Sequence, residues 1–135
     1  LHINAQLVDS GISGTITLGG GGISQMIHCY SKVAGGGAGQ TPVIDMGGSG
    51  NSLMIRNFAG GLQLNNFTGG ADVSLDFTSG RLVADTTVSA GEITVRGVCA
   101  VTDNSTGTAT VTDATLSSGV AKVSGEVIPH IWAAS

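Results

Sequence analysis

Four aspartates, Asp45, Asp72, Asp76 and Asp85, fall on or beside successive short alternating runs of the chain. Carboxylates carried on neighbouring strands could flank a glycosidic bond as acid and base or nucleophile. That chemistry also calls for aromatic platforms beside the sugar. Tyr30 and Trp132 are almost the whole supply, since a core will claim the three phenylalanines. The better reading is solvated strand-face carboxylates. No catalytic residue is assigned, and the chain reads as non-enzymatic.

Other reactive residue types are equally dispersed. His2, His28 and His130 are too scattered for a triad or a metal set. Cys29 and Cys99 lack a CxxC partner or histidines at ligand spacing. They read as buried thiols acting as small apolar residues, with a disulfide or a metal site as the alternatives. The stretch GGSGNSLMI, residues 47–55, resembles the calcium-binding β-roll nonapeptide, but Ser52 stands where an aspartate should donate its carboxylate. The glycine patches Gly19–Gly22 and Ala34–Thr41 lack the GK[ST] ending and the GxGxxG spacing of phosphate loops, so both read as turns or an insertion between rungs. No GxSxG elbow singles out a serine. Asn66-Phe67-Thr68 and Asn104-Ser105-Thr106 match the glycosylation sequon, and Asn57, Asn65 and Asn66 also suit turns or amide ladders. No metal, cofactor or cofactor-binding residue is assigned.

Charge narrows the partners. Five basic residues, Lys32, Arg56, Arg81, Arg96 and Lys122, are scattered through a chain of net charge −4, which is no footprint for nucleic acid. No apolar run approaches the roughly eighteen residues of a membrane span. The chain starts at Leu1 without a methionine or a signal peptide, as expected of a piece of something longer or a processed chain. Only 10% of residues are charged, against about 25% in ordinary globular proteins. So little charge solvates a monomer surface poorly, and much of it is expected to be covered by copies of the chain or by a larger assembly.

The elements that would position these residues are short strands. Between Pro42 and Val98 the runs VIDM, SLMIRNF, LQLNNF, VSLDF, RLVAD and EITVRGV alternate with period two and are separated by Gly, Ser, Asn and Asp. One inward residue per run gives Ile44, Ile55, Leu64, Leu75, Val83 and Ile93, in steps of roughly eight to eleven residues, the strand-plus-turn interval of an all-β repeat. Upstream, LHINAQLV places Ile3, Ala5 and Leu7 on one face, and a short strand is expected over Thr15 to Leu18. In ISQMIHCY, Met26, Ile27 and Cys29 cannot all point inward. Near the end, Val120, Val123, Val127 and Ile131 have helical spacing, which Gly125 and Pro129 oppose.

Two all-β architectures fit this rhythm, a parallel β-helix and an antiparallel sandwich. Hairpin dipeptides NG and DG are absent, and the turns are loose Gly/Ser/Thr groups, which favours a right-handed parallel β-helix over residues 1–119 with a capping or connecting segment at 120–135. Three strand-turn units per coil would make a coil of roughly thirty residues, hence about four coils stacked at ~4.8 Å. Cys29 and Cys99 would then lie more than two coils apart, on the order of 10 Å along the axis and beyond disulfide reach. Outward apolar faces around Leu53, Ile55, Leu62 and Leu64, or their alternates, would be covered by three-fold packing.

At PVIDMGGSGNSLMIRNFAGGLQLNNFTG and again at SGRLVADTTVSAGEITVRGVCAVTDNSTG, the chain resembles Gly-rich β-repeat structural proteins of tailed bacteriophages. The likeness covers Pro42 to Gly107, and the closing IWAAS resembles the point where such proteins pass into a further C-terminal region. The resemblance implies a virion structural protein, a homotrimeric spike, fibre or collar/tail appendage in contact with other virion proteins. It brings no active-site residue with it. A receptor- or host-glycan-binding tail-spike module, with or without depolymerase activity, is the alternative.

Overall fold

A computed structural model of the chain describes residues 2–3, 6–19, 21–32, 41–116, 121–123 and 126–128. The alternating runs form strands: β1 (His2–Ile3), β2 (Gln6–Val8), β3 (Gly11–Ile12), β4 (Thr15–Leu18), β5 (Ile23–Ile27), β6 (Tyr30–Ser31), β7 (Val43–Gly48), β8 (Ser52–Ala84), β9 (Val88–Val98), β10 (Ala100–Asp103), β11 (Thr110–Leu116), β12 (Ala121–Val123) and β13 (Glu126–Ile128). The first eleven belong to one sheet in which every pairing is parallel. The long β8 passes through several corners and pairs with β5, β6, β7, β9 and β10. The result is a β-solenoid of about five turns. This parallel ladder sets aside the antiparallel sandwich. Among the described residues there is no helix, and so none long and apolar enough to cross a membrane.

The coil is shorter than the sequence rhythm suggests. Ile44 pairs with Leu64 and Val73 with Ile93, twenty residues on in each case, where roughly thirty were expected. Each ten-residue beat is therefore half a coil rather than a third of one. The cause is the sharpness of the corners, several of which turn the chain at one residue in the left-handed region. Asp9 (φ 51°), His28 (φ 54°), Asn57 (φ 56°) and Asn66 (φ 55°) do so, and Asn, Asp and His are the non-glycine residues that tolerate it best. The second coil is longer, since Thr15 pairs with Val43 whereas Ile12 pairs with Ser31. The extra chain lies between Ser31 and Val43, where the sequence places its insertion; residues 33–40 themselves lie outside the described residues.

Parallel in-register stacking puts like side chains above one another. The core is built from such columns: Leu7–Met26–Ile55, Ile16–Ile44–Leu64 and Val73–Ile93–Val111. Fully burying one such side chain stabilises the fold by about 1.5–3 kcal/mol. The wide side chains are accommodated too: Phe58, Phe67 and Phe77 are buried, and Phe58 meets Phe77 edge-to-face with ring centroids 5.5 Å apart. At His28 the left-handed turn breaks the strand parity, which lets Met26 and Cys29 both point inward while Ile27 stays half-buried.

Of the expected inward set, Ile44, Ile55, Leu64, Leu75 and Ile93 are buried. Val83 is a correction: it is half-buried on the outside, and Leu82 and Ala84 point inward. The parity resets at Gly80 (φ 125°), where the chain passes so close to the rung below that a Cβ would overlap the Gly60 carbonyl oxygen. Leu53, Ile55, Leu62 and Leu64 are a second correction. All four lie in the core, and the outward positions beside them are Met54, Arg56, Gln63 and Asn65. The helical spacing near the end is a third, because β12 and β13 pair antiparallel as a separate two-stranded sheet. Valines in short runs suit strands better than a helix interrupted by Gly125. Val120, Ile131 and Ala5 lie outside the described residues, as does the side chain of Ile3.

One buried polar side chain ties two rungs together. Asn51, 4% exposed, accepts from Gly21 N (3.0 Å) and Gly22 N (3.2 Å) and donates to the Met46 carbonyl (2.8 Å). The turn that resembles a calcium loop is thus filled by an amide, and Ser52 Oγ accepts from Asp72 N instead.

Two expectations follow for stability. Leu75→Ala should cost about 2–5 kcal/mol and Leu75→Asp more, whereas Val83→Asp should change stability by roughly 0.5 kcal/mol; urea unfolding measures all three, and a neutral Leu75→Asp would mean that this register is off by one. Asn51→Ala orphans three backbone groups at about 1–3 kcal/mol each when buried, so a loss under about 1 kcal/mol would show that water replaces the amide.

Candidate functional site

The four sequence-selected aspartates separate into two kinds. Asp45 and Asp85 are turn residues: Asp45 Oδ1 accepts from Gly47 N (2.8 Å) and Asn66 Nδ2 (3.1 Å), and Asp85 Oδ2 accepts from Thr87 N (3.1 Å) and Thr87 Oγ1 (2.8 Å). The Thr87 hydrogen bonds hold the Asp85 carboxyl below the usual aspartate range. The same clasp two residues on recurs at Asp103, with Ser105, and at Asp113, with Thr115. At Asp45, Asp85 and Asp103 the clasp steadies a corner, whereas Asp113 lies within β11.

Asp72 and Asp76 lie elsewhere, on the outer face of the sheet formed by β5, β8, β9 and β11. Three shallow grooves of about 280, 160 and 270 Å³ run together there. The first is lined by Asp72, Ser74, Glu92, Thr94 and Arg96, and the third by Met54, Arg56, Ser74, Asp76 and Arg96. The second carries Ile23, Ser52 and Met54 with Asp72 and Ser74. Of the chain's five basic and nine acidic residues, Arg56, Asp72, Asp76, Glu92 and Arg96 share this one trench.

Its electrostatics follow from the ladder. Asp76 is in register with Arg96, a favourable cross-strand pair, whereas Asp72 is in register with Glu92, a pair of like charges on adjacent rungs. Among the described residues the only contact within ion-pair distance is His28 Nδ1–Asp9 Oδ1 at 3.5 Å, at an exposed corner away from the trench. The trench groups therefore remain open to solvent partners. The face can hydrogen-bond a polar or polyhydroxylated surface along a rigid track with a ~4.8 Å repeat. It holds no nucleophile hydrogen-bonded to a base. Among the described residues no three His, Cys, Asp or Glu side chains come together as metal ligands.

Glu92, Arg56, Arg96, Ser74 and Thr94 were not singled out from the sequence. The signal for them is the twenty-residue phase, which superposes Asp72 on Glu92, Ser74 on Thr94 and Asp76 on Arg96. A coil of thirty residues hides it. Of the remaining candidates, Tyr30 is 46% exposed at a corner, Asn66 and Asn104 are exposed, and His130 and Trp132 lie outside the described residues. Asn57 and Asn66 are corner residues, and Asn65 accepts from Gln63 two residues away within its own run rather than from a neighbouring rung.

The cysteines are buried, free and three rungs apart. Cys29 is adjacent to Tyr30, which pairs with Ala59, and Thr78 Oγ1 above donates to the Phe58 carbonyl; Ala100, next to Cys99, pairs with Arg81 one rung higher again. At ~4.8 Å per rung this is on the order of 14 Å, against the roughly 7 Å limit for bridged Cα atoms. Burial pushes the Cys99 thiol up to about 11.

Comparison with known proteins finds no matching family model, no similar curated protein and no solved structure of similar fold.

The native protein at pH 8 should react slowly with a thiol reagent and, once unfolded without reductant, should titrate two thiols per chain. One intrachain disulfide in that titration would be incompatible with the stack.

Proposed function

We propose that the chain is a non-enzymatic structural element of a bacteriophage virion, a right-handed β-helical spike, fibre or collar/tail appendage that works as a homotrimer alongside other virion proteins. The observation that carries this reading is the run of aliphatic columns through successive coils, from Ile16 to Leu64 and from Val73 to Val111. Such a column resists local opening, because exposing any one rung uncovers its neighbours. Stiffness and resistance to proteolysis are what a display shaft needs. The Gly-rich likeness over Pro42 to Gly107 gives the assembly in which it would serve.

A second reading is favoured by the trench. A face carrying Asp72, Ser74, Glu92, Thr94 and Arg96 on a rigid frame suits receptor or host-glycan binding, and the two roles are compatible in one spike.

Sedimentation equilibrium tests the first reading: a mass three times 13.3 kDa is expected at micromolar concentration, and a stable monomer would remove the trimer. A low-resolution map of a particle carrying the chain tests its place. A glycan array with wild-type protein and Arg96→Ala tests the second reading, with binding expected only for the wild type.

A further inference from the structure

The trench is the outer face of strand segments stacked rung on rung, and its two margins differ in charge. Ile23, Gln25 and Ile27 alternate with buried Ser24 and Met26. The same outward phase gives Ser52, Met54 and Arg56, then Asp72, Ser74 and Asp76, then Glu92, Thr94 and Arg96. One margin therefore reads Ile23, Ser52, Asp72 and Glu92 up the stack. The other reads Ile27, Arg56, Asp76 and Arg96. The short side chains of Ser74 and Thr94 lie between them. Four residues of extended strand set the margins ~13 Å apart.

These margins complement each other. The first holds two carboxylates on adjacent rungs and no cation, and the second holds two guanidinium groups about one carboxylate. Among the described residues no carboxylate–guanidinium ion pair forms within the chain. Between two copies the margins can meet. If the copies face each other about an axis parallel to the solenoid, two-fold or three-fold, every residue keeps its height and the first margin of one copy lies along the second margin of the next. Glu92 then faces Arg96 of the second copy. Asp72 lies level with Asp76 of the second copy, one rung from both Arg56 and Arg96 of that copy. Lower down, Ile23 faces Ile27 of the second copy, which covers the most exposed large apolar side chain among the described residues, Ile23 at 64%. Turning the second copy end for end instead sets each margin against itself, carboxylates against carboxylates or against Ile23.

We infer that the trench is the surface by which copies of this chain associate side by side, parallel and level, with Glu92 of one copy paired to Arg96 of the next and Ile23 set against Ile27. The apolar rungs gain from being covered, and the charged rungs fix orientation and register. The inference rests on the self-association of the first reading above and gives the trench to that contact rather than to a glycan. It holds for two copies or three.

The test uses the full chain, Arg96→Glu, the exchange Glu92→Arg with Arg96→Glu, and the pair Glu92→Cys with Arg96→Cys. Sedimentation equilibrium should show the wild type associated at micromolar concentration and Arg96→Glu weakened by roughly tenfold or more, since like charges then face each other. The exchange should restore association. The paired cysteines lie ~13 Å apart within one strand, beyond the roughly 7 Å limit for bridged Cα atoms. Mild oxidation should therefore join them between chains, giving covalent oligomers on a denaturing gel, whereas either cysteine alone should not. The native Cys29 and Cys99 are buried. If Arg96→Glu loses its β-sheet circular dichroism, the exchange and the cross-link decide. A wild-type trimer that Arg96→Glu leaves intact and the paired cysteines do not join would overturn this inference alone. A cross-linked dimer would support it and remove only the three-fold reading, and a monomer would overturn both. Glycan binding by the associated wild type, lost in Arg96→Ala with association unchanged, would also overturn it.

Discussion

Everything in this molecule depends on the parallel, in-register ladder between successive coils. Once Val73 lies against Ile93 and Ile93 against Val111, each core position inherits the environment of the one below it. The side chains need only be apolar and of similar size, which explains why Met26, Ile55, Leu75 and Val95 serve in one column. The same repetition acts on the outside. Gln6 donates its side-chain amide to Gln25 one rung up, and Asp76 meets Arg96, but Asp72 is also brought against Glu92. A ladder of this kind amplifies whatever the sequence places at a given phase.

The ladder survives only if each coil closes on the same length, and that is the work of the corners. Left-handed residues at Asp9, His28, Asn57 and Gly97 turn the chain in a single step. Gly97 admits no substitute, because a Cβ there would overlap the Phe77 carbonyl oxygen of the rung below. Aspartates clasping the residue two positions on steady other corners, at Asp45, Asp85 and Asp103. Asn51 does from the inside what these do from the outside, satisfying two amides of one coil and a carbonyl of the next. Most of the polar residues that look chemically interesting in the sequence are occupied in this way.

What remains free of such duties is the trench across β8 and β9. It is the one described face where several charges of both signs gather without contact ion pairs. A rigid frame of aliphatic columns beneath it leaves those groups at fixed spacings, which suits recognition of an extended surface better than chemistry on a single bond.

The sequence by itself determined the class of the fold. Period-two alternation and glycine-rich breaks mark strands and turns because both are local, set by backbone sterics and by which face of a strand each residue takes. Inward positions such as Ile44, Ile55, Leu64, Leu75 and Ile93 were legible for that reason. Only the tertiary structure decided how many beats close a coil. Two ten-residue segments and three give the same local pattern, and the difference lies in corner angles at residues such as His28 and Asn57. Val83 was misplaced because Gly80 shifts the parity through a close approach to Gly60, a contact between residues twenty apart. The trench was hidden for the same reason: its partners Asp72 and Glu92, or Asp76 and Arg96, become neighbours only once the coil length is known.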